Sequence, residues 1–367
     1  MTKSYTAPLG KNGPLVSRIG LGLMGMSLPV YGSTPSDEDR FALLDRALEL
    51  GQTFWDTADM YGDGESLVGK WFKRTGKRNE VFLATKFGWL KGHHARDYSV
   101  DSSAEYCKSC CEDSLAKLGV DYIDLYYAHS LNYDTPIEET MRALKELQDA
   151  GKIKHIGLSL VSSATLRRAV KIAPVAAVQF EYSPFSREIE NASGDNLLAT
   201  CRELGVALVV ATPLSRGVIT ADYHQAAPSS STAAAATAGA AVDSIGASSS
   251  GALGSNDHRG QSMPRFQPDN MAHNAKVVKL FEEFADRKGC TVAQLSLAWL
   301  LSRGLDIFPI PGTKRMQYLE ENWAAVDVEL SEEELRDIDE FLKTNALEGA
   351  TLPEAFKHFK FLETKEE

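Results

Sequence analysis

The chain has 367 residues, room for one large domain or two ordinary ones, and 43% of them are hydrophobic, so a sizeable core can form. A formal charge of −11 disfavours nonspecific nucleic-acid binding, and no apolar run approaches the ~18 to 20 residues of a membrane helix. Five cysteines, an odd number in a chain with neither an apolar leader nor a retention tail, argue against a disulfide framework and lead us to expect a cytoplasmic protein.

The elements come in a regular order. Residues 5–17 read as a β-hairpin turning at Lys11, Asn12 and Gly13, suited to cap a barrel floor. Eight β-rich runs follow, at 19–23, 53–56, 81–86, 123–128, 155–159, 176–180, 207–211 and 306–310. A helical pattern succeeds each one, at 35–50, 65–75, 103–118, 136–150, 162–169, 195–204, 292–301 and 318–324. Strand–helix alternation implies parallel pairing through crossover helices, and eight such units close into a (β/α)8 TIM barrel. A doubly wound sheet is the rival, but no Gly-x-Gly-x-x-Gly turn follows the first strand.

Punctuation agrees with this reading. Pro35 and Ser36 open one helix, and Gly119 and Gly151 close two others. Leu43, Leu44, Ala47 and Leu48 form a core stripe, and Cys107, Cys110 and Cys111 share a helix face as small core residues. Residues 225–261 are alanine, serine, glycine and threonine with almost no large apolar side chain, which predicts a disordered insertion after the seventh strand. Residues 331–343 read as a surface helix. The whole chain, 1–367, is then a single barrel domain carrying that insertion.

Asp56, Tyr61, Lys86 and His129 fall at or just after the C-terminal ends of strands two, three and four. In a barrel those ends converge on one mouth. Singly, each has an ordinary alternative: a turn cap, a packed ring, a solvated lysine, a structural histidine. Together they suit carbonyl reduction, in which charge grows on oxygen and a proton donor must meet it. Tyrosine is a weak acid with a pKa of about 10, which a neighbouring lysine ammonium lowers. Asp56 would hold Lys86 and His129 would orient the carbonyl oxygen; a positioned acid of this kind is worth ~10² to 10⁴-fold. A Schiff-base role for Lys86 is the competing chemistry, and it leaves the tyrosine unexplained. Lys314 and Arg315, adjacent cations after the last strand and before a helix, read as a phosphate site.

The run from Phe54 through Asp56 and Tyr61 to Glu65 resembles the signature of the aldo-keto reductase family. Thr85-Lys86-Phe87-Gly88 resembles its lysine segment, 121–129 its histidine strand, and Pro136 to Thr140 and Ile156 to Ser159 extend the likeness. The nearest flavour is the microbial and plant subgroup that includes pyridoxal reductases, and the alanine-serine insertion hints at a fungal source. The resemblance implies NADPH-dependent reduction of a small aldehyde or ketone, with Asp56, Tyr61, Lys86 and His129 catalytic. It assigns Ser159 and Gln179 to the nicotinamide carboxamide, and Met24 and Gly25 to the neighbouring ribose, with Asp56 also beside the cofactor. Pro213, Leu214, Ser215, Arg216 and Gly217 match the pyrophosphate loop. Gly312, Thr313, Lys314, Arg315, Glu321 and Asn322 match the grip on the adenosine 2′-phosphate and adenine.

Three positions depart from the family: Leu160 where Asn or Glu is usual, Ala211 where a tyrosine stacks on the nicotinamide, and Ser130 after the histidine. His129 with Tyr31, Phe87 and Trp89 would face the substrate, near His93 and His94. The same fold also serves as a channel β subunit, so an NADPH-binding regulatory subunit with little turnover is the alternative. A small-molecule substrate, no nucleic acid, no membrane, and a monomer or weak homo-oligomer complete the expectation.

Overall fold

The computed structural model describes residues 5–90, 99–221, 223 and 257–367. At the floor, β1 (Thr6–Pro8) and β2 (Leu15–Ser17) pair antiparallel with Thr6 opposite Ser17. Asn12 turns between them at φ 60°, a left-handed conformation that asparagine tolerates. Ala7, Leu9 and Val16 enter the same apolar cluster as Phe54, Leu125, Val209 and Phe308 of the barrel strands. The Lys11 amide donates to the Gly205 carbonyl at 2.7 Å. The hairpin therefore plugs the N-terminal end of the barrel.

The barrel strands are β3 (Leu21–Gly22), β4 (Phe54–Asp56), β5 (Phe82–Phe87), β6 (Ile123–Ala128), β7 (Ile153–Ser159), β8 (Val175–Glu181), β9 (Ala207–Ala211) and β10 (Ile307–Pro309). They lie in chain order and every neighbouring pair is parallel. The two edges meet where Gly22 bridges Gly312 and the Gly20 amide donates to the Pro309 carbonyl at 2.9 Å. Closure needs glycine there, because a Cβ on Gly22 would sit 2.7 Å from the Ile310 carbonyl oxygen. The result is the expected (β/α)8 barrel.

Around it run α1 (Met24–Ser27), α2 (Asp37–Glu49), α3 (Gly64–Thr75), α4 (Ala104–Leu118), α5 (Ile137–Asp149), α6 (Ser163–Ala169), α7 (Leu197–Leu204), α8 (His258–Ser262), α9 (Pro268–Lys288), α10 (Val292–Ser302), α11 (Met316–Ala324) and α12 (Glu332–Thr344). Local chemistry sets several starts. Ser36, Ser103 and Ser162 each accept a hydrogen bond from the amide three residues on, and Thr291 with Gln294 and Ser331 with Glu334 form capping boxes. The three α4 cysteines are buried in the layer between helices and strands. Among the described residues no helix is long and apolar enough to cross a membrane.

Two expectations need correction. The sequence reading has no helix between 261 and 292, whereas α9 occupies 21 residues there. Its apolar positions, Met271, Ala275, Val278, Phe281 and Ala285, recur every three or four residues after an N-terminal proline. That signal was masked by the low-complexity stretch beside it. The insertion also ends earlier than 261. Asp257 bridges antiparallel to Tyr31, and 258–262 form α8, while residues 225–256 lie outside the described part. The C-terminal segment, for which the sequence gives no expectation, docks beside strand β7. Leu362 bridges parallel to Val161, its amide donates to the Leu160 carbonyl at 2.7 Å, and its carbonyl accepts from Ser162 at 3.0 Å.

Candidate active site

Asp56 ends β4 in register with Ala84 of β5, and its side chain meets that of Lys86, two residues further along β5. Lys86 is fully buried and Asp56 is 2% exposed. The Lys86 ammonium pairs with Asp56 Oδ1 and donates to the Thr57 carbonyl at 2.7 Å. The other carboxylate oxygen, Oδ2, accepts from Gln179 Nε2 at 2.8 Å. A buried charge pair is tolerable only with such a full complement of partners. Burial pushes both groups toward their neutral forms, raising Asp56 and lowering Lys86, and their mutual attraction opposes it.

Tyr61 hangs over this pair from the turn after β4. Its ring centroid is 5.1 Å from Lys86 Nζ, and its hydroxyl lies 3.5 Å from Nε2 of His129, which follows β6. The two rings stand nearly perpendicular, at 84° and 5.6 Å. Gly62, at φ 56°, makes the turn, since a Cβ there would meet the Ser27 carbonyl oxygen at 2.6 Å. All four residues read from the sequence are thus brought together. The expected lowering of the Tyr61 pKa by Lys86 is not what the fold produces. Burial, with Asp56 and Tyr31, drives it well above its ordinary value, and Arg216 is the cation that opposes. Burial, then Lys86, holds His129 far below the usual histidine range, so its ring is neutral at pH 7.

The other strand ends carry the remaining residues read from the sequence. Ser159 and Gln179 are register partners on β7 and β8 and both are buried. Loop 213–217 follows β9, with Thr212 at φ 52°, Ser215 at φ 49° and Arg216 at φ 61°. Non-glycine residues in this region carry strain that concentrates at functional sites. The loop is pinned by Ser215 Oγ to Ser183 Oγ at 2.8 Å and by Ser296 Oγ donating to the Pro213 carbonyl at 3.0 Å. Arg216 Nε is buried without a hydrogen-bond partner. Met24 and Gly25 lie on α1, where a Cβ on Gly25 would come within 3.6 Å of the Tyr31 ring.

At the far end, Gly312 and Thr313 precede the two cations. Lys314 Nζ donates to the Tyr31 and Ser33 carbonyls at 2.7 and 2.8 Å, so it clips the loop after β3. Arg315 is exposed at the start of α11. The Glu321 carboxylate accepts from Thr291 Oγ1 at 2.6 Å and joins α11 to α10, and Asn322 beside it is buried.

Trp89 stands edge-on to His129 at 6.3 Å and to Phe359 of the C-terminal segment at 4.7 Å. Tyr31 carries the Arg259 guanidinium over its ring at 4.9 Å. Phe87 is the exception among the expected substrate-facing rings. It is fully buried and stacks on Tyr126 at 5.2 Å in the layer under the helices. Strand alternation explains this: Lys86 faces the axis, so its neighbour faces out. Beside Phe359 a groove of about 560 Å³ opens between Leu131, Asn132 and Tyr133 and the C-terminal segment. His93 and His94 lie outside the described residues. The sequence reading missed Phe359, Arg259 and Glu181, none of which sits in a contiguous motif.

The sequence profile of the aldo/keto reductase family matches residues 18–343. The chain belongs to that family. It is therefore an oxidoreductase acting on carbonyl groups. It is 41% identical over 351 residues to the aldo-keto reductase yakc [NADP(+)] of Schizosaccharomyces pombe, covering 95% of both chains. Identity is 40% to the aldo-keto reductase str7 of Strobilurus tenacellus, over 91% of both chains. Among solved structures, a thermostable aldo-keto reductase in complex with the inhibitor epalrestat aligns with TM-score 0.68 and 27% identity over 92% of this chain and all of that one. The holo form of an aldo-keto reductase from Bacillus halodurans aligns equally well, at 0.68 and 26%, over 94% and 98%.

Proposed function

We propose that this enzyme reduces a small aldehyde or ketone to the alcohol with NADPH, and that Tyr61 is the proton donor. The observation that carries the reading is the convergence of Tyr61, His129 and the buried Lys86–Asp56 pair at one point of the mouth. The residues present fit the cofactor. Ser159 and Gln179 side by side offer polar groups to a carboxamide, the strained loop 212–217 holds a buried partnerless Arg216 Nε, and Arg315 stands exposed at a helix start. When bound, NADPH supplies the hydride.

The chain's own part is acid catalysis and orientation. A Tyr61 pKa driven upward keeps the phenol protonated at neutral pH, which is the form an acid needs. As negative charge grows on the carbonyl oxygen, the hydroxyl donates its proton, and the Lys86 ammonium near the ring stabilises the phenolate left behind. The neutral His129 presents Nε2 beside the same hydroxyl and orients the oxygen, while its Nδ1 is buried without a partner. Trp89, Phe359 and Tyr31 wall the approach and exclude water. The test is Tyr61→Phe, with NADPH consumption followed over a panel of aldehydes that includes pyridoxal. Turnover falls ~10² to 10⁴-fold with NADPH affinity kept. Wild-type turnover in the Tyr61→Phe protein would sink the assignment of the acid.

A further inference from the structure

Glu181 ends β8 on the same inward face as Gln179, two residues on, and its register partner is Ala211, the residue before the strained loop. It is 5% exposed. Three side chains from two parts of the chain converge on its carboxylate. Thr212 Oγ1 donates to Oε1 at 3.2 Å, from the loop. Thr351 Oγ1 donates to Oε2 at 2.7 Å, and Lys360 Nζ lies 2.9 Å from the same oxygen, both from the C-terminal segment. Lys360 also donates to Thr351 Oγ1 at 3.1 Å, so the trio closes on itself. Burial pushes the Glu181 pKa up, but Arg216 and Lys360 outweigh it and hold the carboxyl down at about 2.

Thr212 is β-branched and left-handed, a strained conformation that persists only where its surroundings enforce it. Glu181 grips that residue by its hydroxyl, and Ser183, two residues further, grips Ser215. Two points of the turn, Thr212 and Ser215, are therefore fastened to one short segment at the end of β8. Beside Lys360, Phe361 stacks on Phe180 at 4.7 Å, and Phe359 packs on Trp89.

We propose that Glu181 and Lys360 are positioning residues: together they hold the 212–217 loop in the shape that receives the cofactor pyrophosphate. The inference rests on the reading of that loop as the cofactor-phosphate site. The C-terminal segment then acts on the cofactor as well as on the substrate wall.

NADPH affinity of the full-length enzyme, measured by protein fluorescence for wild type, Glu181→Gln, Lys360→Met, Lys360→Arg and Thr212→Val, decides the matter. Positioning predicts weaker NADPH binding in both Glu181→Gln and Lys360→Met, on the order of tenfold, and non-additive losses in the double variant. It also predicts retention in Lys360→Arg, a smaller loss in Thr212→Val, and a kcat at saturating NADPH that is kept in Lys360→Met. A purely electrostatic role moves the two in opposite directions, because removing an anion near a phosphate site tightens binding and removing a cation loosens it; tighter binding in Glu181→Gln overturns the proposal. Unchanged affinity in variants that melt earlier but still fold also overturns it, by reducing the trio to a structural tie. Should Glu181→Gln not fold, Lys360→Met and Thr212→Val carry the same test. A wild-type enzyme that binds no NADPH fails the cofactor reading itself, which is a separate outcome.

Discussion

The two ends of this barrel are built on opposite principles. At the floor, Ala7, Leu9 and Val16 of the hairpin fill the strand cylinder with apolar side chains, and the hairpin turns at left-handed Asn12, a residue that tolerates this conformation. At the mouth, Asp56, Lys86 and Glu181 are charged yet at most 5% exposed, and Leu160, Thr212, Ser215, Arg216 and Phe361 are all left-handed. The floor also buries the Arg18 guanidinium, but satisfies it with the Leu301 and Gly304 carbonyls at 2.9 and 3.0 Å and, among the described residues, adds no ion pair as tightly enclosed as Lys86–Asp56. The mouth accumulates buried charge and backbone strain, and the floor and helices must offset them. The difference teaches that stability and chemistry have been assigned to separate ends of one cylinder.

The sharpest way to break that comparison is to remove a charge at the mouth. Lys86→Met leaves Asp56 buried without its cation, which costs ~3 to 5 kcal/mol of stability. It also removes the ammonium beside Tyr61, so turnover falls by at least ~10²-fold. Thermal unfolding and steady-state rates on the same sample read both effects, and a variant with near wild-type turnover would separate Lys86 from the chemistry. The matching change at the floor is Leu9→Ala. A fully buried leucine leaves a cavity worth ~2 to 5 kcal/mol, and kcat measured well below the melting range stays within about twofold. A large kcat loss there would show that the two ends are coupled.

The smallest effect concerns pH. His129 is held far below the usual histidine range by burial and Lys86, so its neutral form is the folded form. A depressed histidine contributes stability that is complete above the unfolded pKa of about 6.5 and is lost as pH falls. The profile of kcat/KM for reduction should therefore run flat through pH 6.5. A step at that pH, absent from His129→Gln, would show a histidine that titrates normally.

Much of the fold was legible because it is local. Eight β-rich runs lie within a few residues of β3 to β10, and serines and glycines mark the helix ends found by capping geometry. The four polar residues at strand ends were legible for the same reason, since parallel strands in chain order bring their C-terminal ends to one face. α9 was lost beside low-complexity sequence, although its own periodicity is clear. Phe87 was misread by treating a motif as a surface, when its parity with Lys86 already turned it outward.

What the sequence determined alone is the unit that repeats and the residue types at its working end, because period and punctuation depend on near neighbours. The tertiary structure alone decided which groups act on one another. Lys314 is engaged by carbonyls of the loop after β3, from residues 283 and 281 positions away. Glu181 meets Thr351, 170 residues on, and Gln179 meets Asp56 across the barrel. Such pairings follow from register and closure, which set distances and burial among residues far apart in the chain. The direction of the Tyr61 pKa is decided there too, since desolvation exists only once the mouth has assembled.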